Sequence, residues 1–185
     1  MTEKKMINGL NVEQLMKTVE LLKEKPELAG FKFRATNKWM RGTHNRATVK
    51  DFYGPGKEDT SREPVVFEID EPPVLLGQNL GTNPVEYLLV ALSGCLTTTL
   101  VAQASVKGIV LKGVASRYEG DLDLRGFLGI SPEVKVGFKE IRVYMTIDAD
   151  ISEAEKEELV KLAQKYSPVV STLVNPTAVS VYLEK

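Results

Sequence analysis

Cys95 is the only cysteine in this sequence and the residue best suited to nucleophilic or redox chemistry. A cysteine reacts as the thiolate, whose formation at neutral pH needs a nearby cation. Segment 39–46 is the best local source of such groups, because it contains Arg41, His44 and Arg46. Residue chemistry alone favours simpler roles, namely a small apolar core residue for the cysteine and a solvated hairpin turn for the segment.

The cysteine lies in the middle of a long predicted helix. Asn83 is a suitable N-cap and Pro84 suits the first helical position. The following residues are apolar on almost every side, which is typical of a buried central helix or a membrane span. Glu86, Gln103 and three consecutive threonines weaken the membrane interpretation. We therefore predict a buried helix in a soluble protein.

The remaining elements predict an α+β fold with mostly antiparallel strands. Amphipathic helices are predicted over 11–25 and 152–166, with capping boxes of Asn11 with Gln14 and of Ser152 with Glu155 at their starts. Strands are predicted over 30–38, 47–52, 65–69, 109–119, 138–147 and 178–183. Residues 1–28 are expected to form a helical extension, and residues 29–185 a single domain. The first helix either covers the core or docks on a partner subunit, and the sequence does not separate these roles.

Composition excludes several classes of function. The 24 basic and 25 acidic residues are balanced, which argues against a nucleic-acid surface or an anionic membrane as the main partner. One cysteine and one histidine exclude an internal disulfide and the usual zinc or iron–sulfur spacings. We expect no metal or cofactor. Because the first residues lack the apolar core of a signal peptide, a cytoplasmic location is the default expectation.

Several motifs resemble those of the OsmC/Ohr family, the osmotically inducible and organic hydroperoxide resistance proteins. They are Leu-Leu-Gly at 75–77, Gly-Thr-Asn-Pro at 81–84, Glu-Tyr-Leu-Leu at 86–89, Gly-Cys at 94–95, Gly-Ile at 108–109, Glu-Gly-Asp-Leu-Asp at 119–123 and Tyr-Ser-Pro-Val at 166–169. The resemblance covers roughly residue 31 to the C-terminus. It implies an OsmC-like fold in an intertwined homodimer, with antiparallel sheets around the central helices and active sites at the subunit interface.

The resemblance also implies a chemistry. Active family members are thiol peroxidases in which the helix cysteine attacks a hydroperoxide and becomes a sulfenic acid. A second cysteine then forms a disulfide with it, and dithiol reductants reopen that disulfide. An arginine, held by a glutamate of the central helix, assists the first cysteine and orients the peroxide.

Only part of this machinery carries over to the sequence. Cys95 matches the attacking cysteine, but Ser167 occupies the position of the resolving cysteine and cannot form a disulfide. Ser167 also suits the N-cap of a short helix that begins at Pro168. Arg46 is the chosen arginine, with Arg41 as the alternative, because His44-Asn45-Arg46 looks like the variant turn of a subgroup.

The family glutamate falls at Val85, which carries no charge. Glu86 follows it, but at 100° per residue it projects about 180° away from Cys95 on the same helix. It could instead pair with a basic residue of the other subunit. A two-cysteine cycle is therefore not expected, whereas a one-cysteine cycle completed by an external thiol remains open.

Three functional hypotheses follow. The first is thiol-dependent reduction of organic hydroperoxides by Cys95. In it, Arg46 stabilises the thiolate and the negative charge on the leaving oxygen, and His44 assists by hydrogen bonding or proton transfer to that oxygen. The second is a non-catalytic protein that binds an apolar small molecule at the dimer interface, with lining residues Leu75, Leu76, Leu88, Leu92 and Phe127, each of which is also suited to core packing. The third, a Cys95–His44 hydrolase or transferase, is the least favoured, because the sequence lacks a strained nucleophile turn.

Overall fold

The computed structural model describes residues 6–175 and 177–184. The strands are β1 Met6–Ile7, β2 Leu10–Asn11, β3 Lys32–Phe33, β4 Thr36–Arg41, β5 His44–Val49, β6 Phe52–Tyr53, β7 Glu58–Asp59, β8 Val65–Ile69, β9 Leu111–Asp121 and β10 Glu140–Ala149. The α-helices are α1 Val12–Glu24, α2 Pro84–Val106, α3 Leu124–Phe127, α4 Glu153–Tyr166 and α5 Pro168–Val174. They group into two compact units, one of residues 11–88 and one of residues 6–10 with 89 onwards.

The first unit contains an antiparallel sheet with the strand order β4-β5-β8. The predicted strand 65–69 is confirmed. The predicted turn over 39–46 is wrong, because only residues 42–43 separate the two strands and Arg41 already pairs with His44. Gly42 has a φ of +53°, which a glycine adopts without strain and which allows so tight a connection. Arg41, His44 and Arg46 therefore lie on strands and not in a solvated turn.

The predicted strands 30–38 and 47–52 are each divided in the structure. Residues 32–33 form β3, which pairs with β6, and β6 pairs in turn with β7, a strand that was not predicted. Helix α1 starts after Asn11, whose side chain accepts a hydrogen bond from the Gln14 amide at 3.0 Å, so the Asn11 half of the predicted capping box is confirmed. None of the residues of α1 is buried.

The loop between β8 and α2 packs very closely against the backbone of residues 68–71 at two glycines. A Cβ at Gly77 would lie 1.7 Å from the carbonyl oxygen of Glu71, and a Cβ at Gly81 would lie 2.1 Å from that of Glu68. No side chain fits in such a space, so both positions require glycine. The glycines of the sequence motif thus fix the path of the chain into α2.

Helix α2 confirms the predicted central helix. The Asn83 side chain caps it by accepting a hydrogen bond from the Val85 amide at 2.9 Å. The chain buries one side of it, at Leu92, Leu96, Leu100, Ala104 and Ser105, whereas Val90 is 57% exposed. Among the described residues it is the one helix long and apolar enough to span a membrane, a property that core helices of soluble proteins share. The expectation of burial on all sides therefore holds for only one face within a single chain.

In the second unit, the hairpin of β9 and β10 packs with α2 and α4. The two strands are antiparallel from Asp121–Glu140 to Leu111–Ala149, so both predicted strands are confirmed with bounds shifted by two residues. The core comprises Leu92, Leu96, Leu100, Ala104, Ile147, Ala149, Leu159 and Ala163. Helix α4 begins with the predicted capping box of Ser152 and Glu155.

The strand predicted over 178–183 is not formed. Residues 177–184 have no regular secondary structure, and Val179, Val181 and Leu183 are each at least 84% exposed. Apolar residues do alternate along this segment, as a strand would require. A strand, however, needs a partner edge, and the segment pairs with no strand in the described part of the chain.

Candidate active site

Cys95 lies on α2 with its sulfur next to the side chain of Ser167. The Ser167 Oγ donates a hydrogen bond to the Cys95 Sγ across 3.0 Å. Ser167 is buried, with 1% of its surface exposed, whereas Cys95 is partly exposed and unpaired. The structure therefore brings together the two positions that the family resemblance assigns to the attacking and the resolving cysteine.

The ends of two helices hold Ser167 in place. Its amide donates to the Ala163 carbonyl at 3.0 Å and ends α4. Its hydroxyl accepts from the Val170 amide at 3.2 Å and caps α5, which begins at Pro168. The predicted N-cap role is thus confirmed. Because both backbone and side chain are used, the direction of the hydroxyl is fixed by local structure.

His44 and Arg46 meet at one carboxylate, that of Glu68 on β8. The His44 Nε2 lies 2.7 Å from Glu68 Oε2, and the Arg46 Nε donates to Glu68 Oε1 at 2.8 Å. These contacts hold the pKa of Glu68 below its usual range, with Arg46 making the larger contribution and His44 the smaller. An ionised carboxylate at neutral pH therefore connects the two predicted basic residues.

Sequence reasoning missed Glu68, although a signal was present. Glu68 is the one charged residue of β8 and lies directly opposite Arg46 in the β5–β8 ladder. His44 is two residues from Arg46, and residues two apart on a strand share a face. Correct bounds for β5 would have placed all three side chains on one face of the sheet.

A second carboxylate, Asp70, organises the loop that follows β8. Its Oδ1 accepts from the Thr43 hydroxyl at 2.6 Å, and its Oδ2 accepts from the amides of Gln78 and Leu80 at 2.9 and 3.1 Å. Only 2% of the residue is exposed. These hydrogen bonds, above all that of Thr43, hold the pKa of Asp70 well below its ordinary range. Asp70 thus joins the β4–β5 turn to the loop before α2.

Arg41, the alternative arginine, takes a separate partner. Its Nη2 donates to the Gln78 Oε1 at 2.7 Å. Both residues line an open cavity of about 250 Å³ that also includes His44, Asp70 and Leu76. Arg41 is therefore a wall of this cavity, whereas Arg46 is the arginine that shares a carboxylate with His44.

Glu86 has a local role in its own helix. Its Oε2 accepts a hydrogen bond from the Asn83 amide at 3.0 Å, which completes a reciprocal cap at the start of α2. Within the chain, the Glu86 side chain therefore serves to cap the start of α2.

The apolar residues expected to line a ligand pocket have different surroundings. Leu92 belongs to the core of the second unit. Leu76 is 91% exposed at the rim of the 250 Å³ cavity, in the left-handed backbone region with a φ of 62°. Phe127 is 58% exposed. Leu75 and Leu88 are half-buried.

No cluster of three or more metal-ligating side chains occurs among residues 6–175 and 177–184.

No curated protein sequence matches the chain. Solved structures do match. The OsmC-like protein of Mycoplasma pneumoniae aligns with a TM-score of 0.58 and 20% identity over 77% of this chain and 86% of its own.

Two further structures show the same fold. An organic hydroperoxide resistance protein OsmC from Legionella pneumophila aligns with a TM-score of 0.56 and 22% identity, over 77% of this chain and 89% of its own. A protein from Psychrobacter arcticus, described as a putative osmotic stress induced and detoxification response protein, aligns with a TM-score of 0.56 and 13% identity, over 77% and 88%. The family profile of OsmC-like proteins matches residues 77–181, more than half of the chain. This chain belongs to the OsmC-like family and is a member with a single cysteine.

Proposed function

We propose that this protein reduces organic hydroperoxides through Cys95 with electrons from an external thiol. The observation that carries the proposal is the 3.0 Å hydrogen bond from Ser167 Oγ to Cys95 Sγ. It supplies a donor to the sulfur at the position where related peroxidases carry a second cysteine. A hydrogen bond to a thiolate favours the reactive form of the sulfur.

The proposed reaction has two stages. The Cys95 thiolate attacks the outer oxygen of the hydroperoxide, the O–O bond breaks, and the alcohol leaves after gaining a proton. The sulfur is oxidised to a sulfenic acid and the hydroperoxide is reduced to an alcohol. One external thiol then displaces water from the sulfenic acid to form a mixed disulfide. A second external thiol releases the Cys95 thiolate together with an oxidised, disulfide-linked reductant.

Arg46 and His44 supply the polar groups that this reaction needs. The guanidinium of Arg46 would stabilise the thiolate and the negative charge that develops on the leaving oxygen. The ring of His44 would donate a hydrogen bond or a proton to that oxygen. Their common contact with Glu68 supports a joint role for them.

We propose that the working form is a homodimer in which one copy supplies these basic residues to Cys95 of the other. Two observations support a second copy. One face of the apolar helix α2 is uncovered within the chain, as the 57% exposure of Val90 illustrates. The apolar segment 178–183 is also exposed and unpaired in the described part of the chain. Both would gain partners in an intertwined assembly.

The biological role that fits this chemistry is defence against oxidative stress in the cytoplasm. The single cysteine leaves no internal thiol to trap the sulfenic acid, so the reducing thiol pool of the cytoplasm would supply the reductant. The alternative role is a non-catalytic protein that binds an apolar ligand, for which the exposed Leu76 beside the cavity is the supporting observation.

Intact-mass measurement after brief exposure to stoichiometric cumene hydroperoxide, with and without a sulfenic-acid trap, tests the proposal. We expect rapid trapping in the wild type and none in Cys95→Ala. A wild-type sulfur that stays unmodified would overturn the peroxidase proposal. Extraction and mass analysis of bound apolar molecules would then test the alternative.

A further inference from the structure

Glu68 binds two side chains through its two separate oxygens. Oε2 contacts the Nε2 of His44 at 2.7 Å, and Oε1 contacts both the Nε and the Nη2 of Arg46 at 2.8 and 2.7 Å. The β5–β8 register places Glu68 directly opposite Arg46, so strand pairing positions these contacts of Glu68 with His44 and Arg46, which we call the Glu68 fork. The carboxylate is half-shielded, with 36% of its side chain exposed, and His44 is more enclosed at 16%.

The fork has a chemical consequence for each partner. An ionised carboxylate only accepts hydrogen bonds, so the Nε2 of His44 must carry a hydrogen. The Nδ1 of His44 is then the ring nitrogen available to a reactant. In the neutral ring it accepts a hydrogen bond, and in the doubly protonated ring, whose positive charge the Glu68 carboxylate balances, it donates one. On Arg46, the Nε hydrogen and one Nη2 hydrogen face Glu68, which leaves both hydrogens of Nη1 and the second hydrogen of Nη2 for another anion.

We infer that Glu68 is a positioning residue that fixes the tautomer of His44 and the orientation of Arg46 for the reaction of Cys95. This inference rests on the proposed hydroperoxide reduction. It assigns the carboxylate role to a sheet residue in a chain whose central helix has Val85 where the family resemblance places a glutamate.

A second ion pair in the same unit provides a matched control. Arg34 and Glu58 form a two-fold pair, with both contacts at 2.7 Å, and 51% of the Glu58 side chain is exposed. Exposed ion pairs of this kind contribute little to stability. If Glu68 served only to stabilise the sheet, Glu68→Gln and Glu58→Gln would have similar and small effects on every measurement.

The test compares the wild type, Glu68→Gln, Glu68→Asp and Glu58→Gln by two measurements. The first is the initial rate of Cys95 oxidation by cumene hydroperoxide. The second is the ¹⁵N NMR spectrum of the imidazole ring, which is unambiguous because the chain has a single histidine. Circular dichroism and thermal melting confirm that each variant is folded.

We expect Glu68→Gln to lower the rate at least about tenfold, since general acid–base groups contribute factors of this size or more. Its ring nitrogens should lose the pattern of a fixed Nε2–H tautomer. Glu68→Asp keeps the carboxylate and should recover part of the rate, and Glu58→Gln should retain the wild-type rate and spectrum.

A wild-type rate or an unchanged ring spectrum in folded Glu68→Gln would overturn the inference while leaving the proposed function intact. A wild-type protein whose Cys95 does not react would overturn both. The oxidation rate measured on the wild-type protein therefore distinguishes the two failures by itself.

Discussion

The hydroxyl of Ser167 donates a hydrogen bond to the sulfur of Cys95, although 72 residues separate the two in sequence. The same oxygen accepts a hydrogen bond from the Val170 amide. A serine hydroxyl has one hydrogen, and its use as a cap leaves that hydrogen for the sulfur. The helix terminus therefore directs a donor at the one thiol of the protein.

Replacement of Ser167 by cysteine should create a disulfide with Cys95. The Ser167 Oγ and the Cys95 Sγ are already 3.0 Å apart. A sulfur in place of the Ser167 oxygen would need to move only about 1 Å to reach the S–S bond length of about 2.0 Å. We expect Ser167→Cys to lose two hydrogens on treatment with hydroperoxide and to become resistant to alkylation. Non-reducing mass analysis measures both. The closed loop should stabilise the oxidised form by roughly 2–4 kcal/mol.

Ser171→Cys is the control for this variant. Ser171 lies one turn further along α5 and is exposed. A cysteine there should remain alkylatable after the same treatment. If Ser167→Cys also remained a free dithiol under oxidation, the contact between the two positions would be contradicted.

Removal of the Ser167 hydroxyl should affect stability and sulfur reactivity together. Ser167→Ala loses the cap of α5 and should destabilise the fold by about 1–2 kcal/mol. It also leaves the Cys95 sulfur without this donor, so we expect its alkylation by iodoacetamide at pH 7 to slow by about tenfold, the equivalent of one hydrogen bond of roughly 1.4 kcal/mol.

Ser152→Ala separates the two effects. Ser152 caps α4 with its own capping box, so its loss should cost similar stability by urea unfolding. The alkylation rate of this variant should equal that of the wild type. Equal slowing in both variants would mean that helix capping, and not the hydrogen bond to sulfur, controls the rate.

The sequence allowed prediction of features that depend on neighbouring residues. The caps at Asn11, Asn83, Ser152 and Ser167 were all predicted, because each depends on residues two to three positions away. Helix α2 was predicted for the same reason. These signals located Cys95 on its helix and Ser167 at a helix start.

Features that depend on strand pairing were not predictable in the same way. The turn assigned to 39–46 removed His44 and Arg46 from a strand, so alternation could not place them on one face with Glu68. The segment 178–183 has a clear alternating pattern, but its pattern does not specify which edge it pairs with. Strand formation depends on such long-range partners more than helix formation does.

Asp70 should make stability depend on pH. Its pKa is lowered in the folded state from an ordinary value of 3.8, so it stabilises the fold above that value, and this stabilisation is lost as the pH falls below it. In Asp70→Asn the amide nitrogen cannot accept the hydrogen bonds of Gln78 and Leu80. We expect a melting temperature several degrees lower at pH 7 and a smaller difference from wild type near pH 3.

Asp150→Asn is the control for the pH experiment. Asp150 is 85% exposed in its side chain and pairs with Lys112 on the surface. Its replacement should leave the melting curves close to those of the wild type at both pH values. A constant gap between Asp70→Asn and wild type from pH 7 to pH 3 would contradict the assigned role of the Asp70 carboxylate.

A charge on the uncovered face of α2 should separate the proposed dimer. Val90 is 57% exposed in one chain, and a second copy would cover it. Because burial of an unpaired charge is very unfavourable, Val90→Glu should be a monomer by light scattering where the wild type is a dimer. Val136→Glu, at a site 63% exposed in an irregular segment, should remain dimeric.

The same variant tests the shared site. If one copy supplies Arg46 and His44 to Cys95 of the other, Val90→Glu should lose hydroperoxide reactivity at the concentrations at which light scattering shows it to be a monomer. Retention of full reactivity by a folded monomer would contradict the shared site.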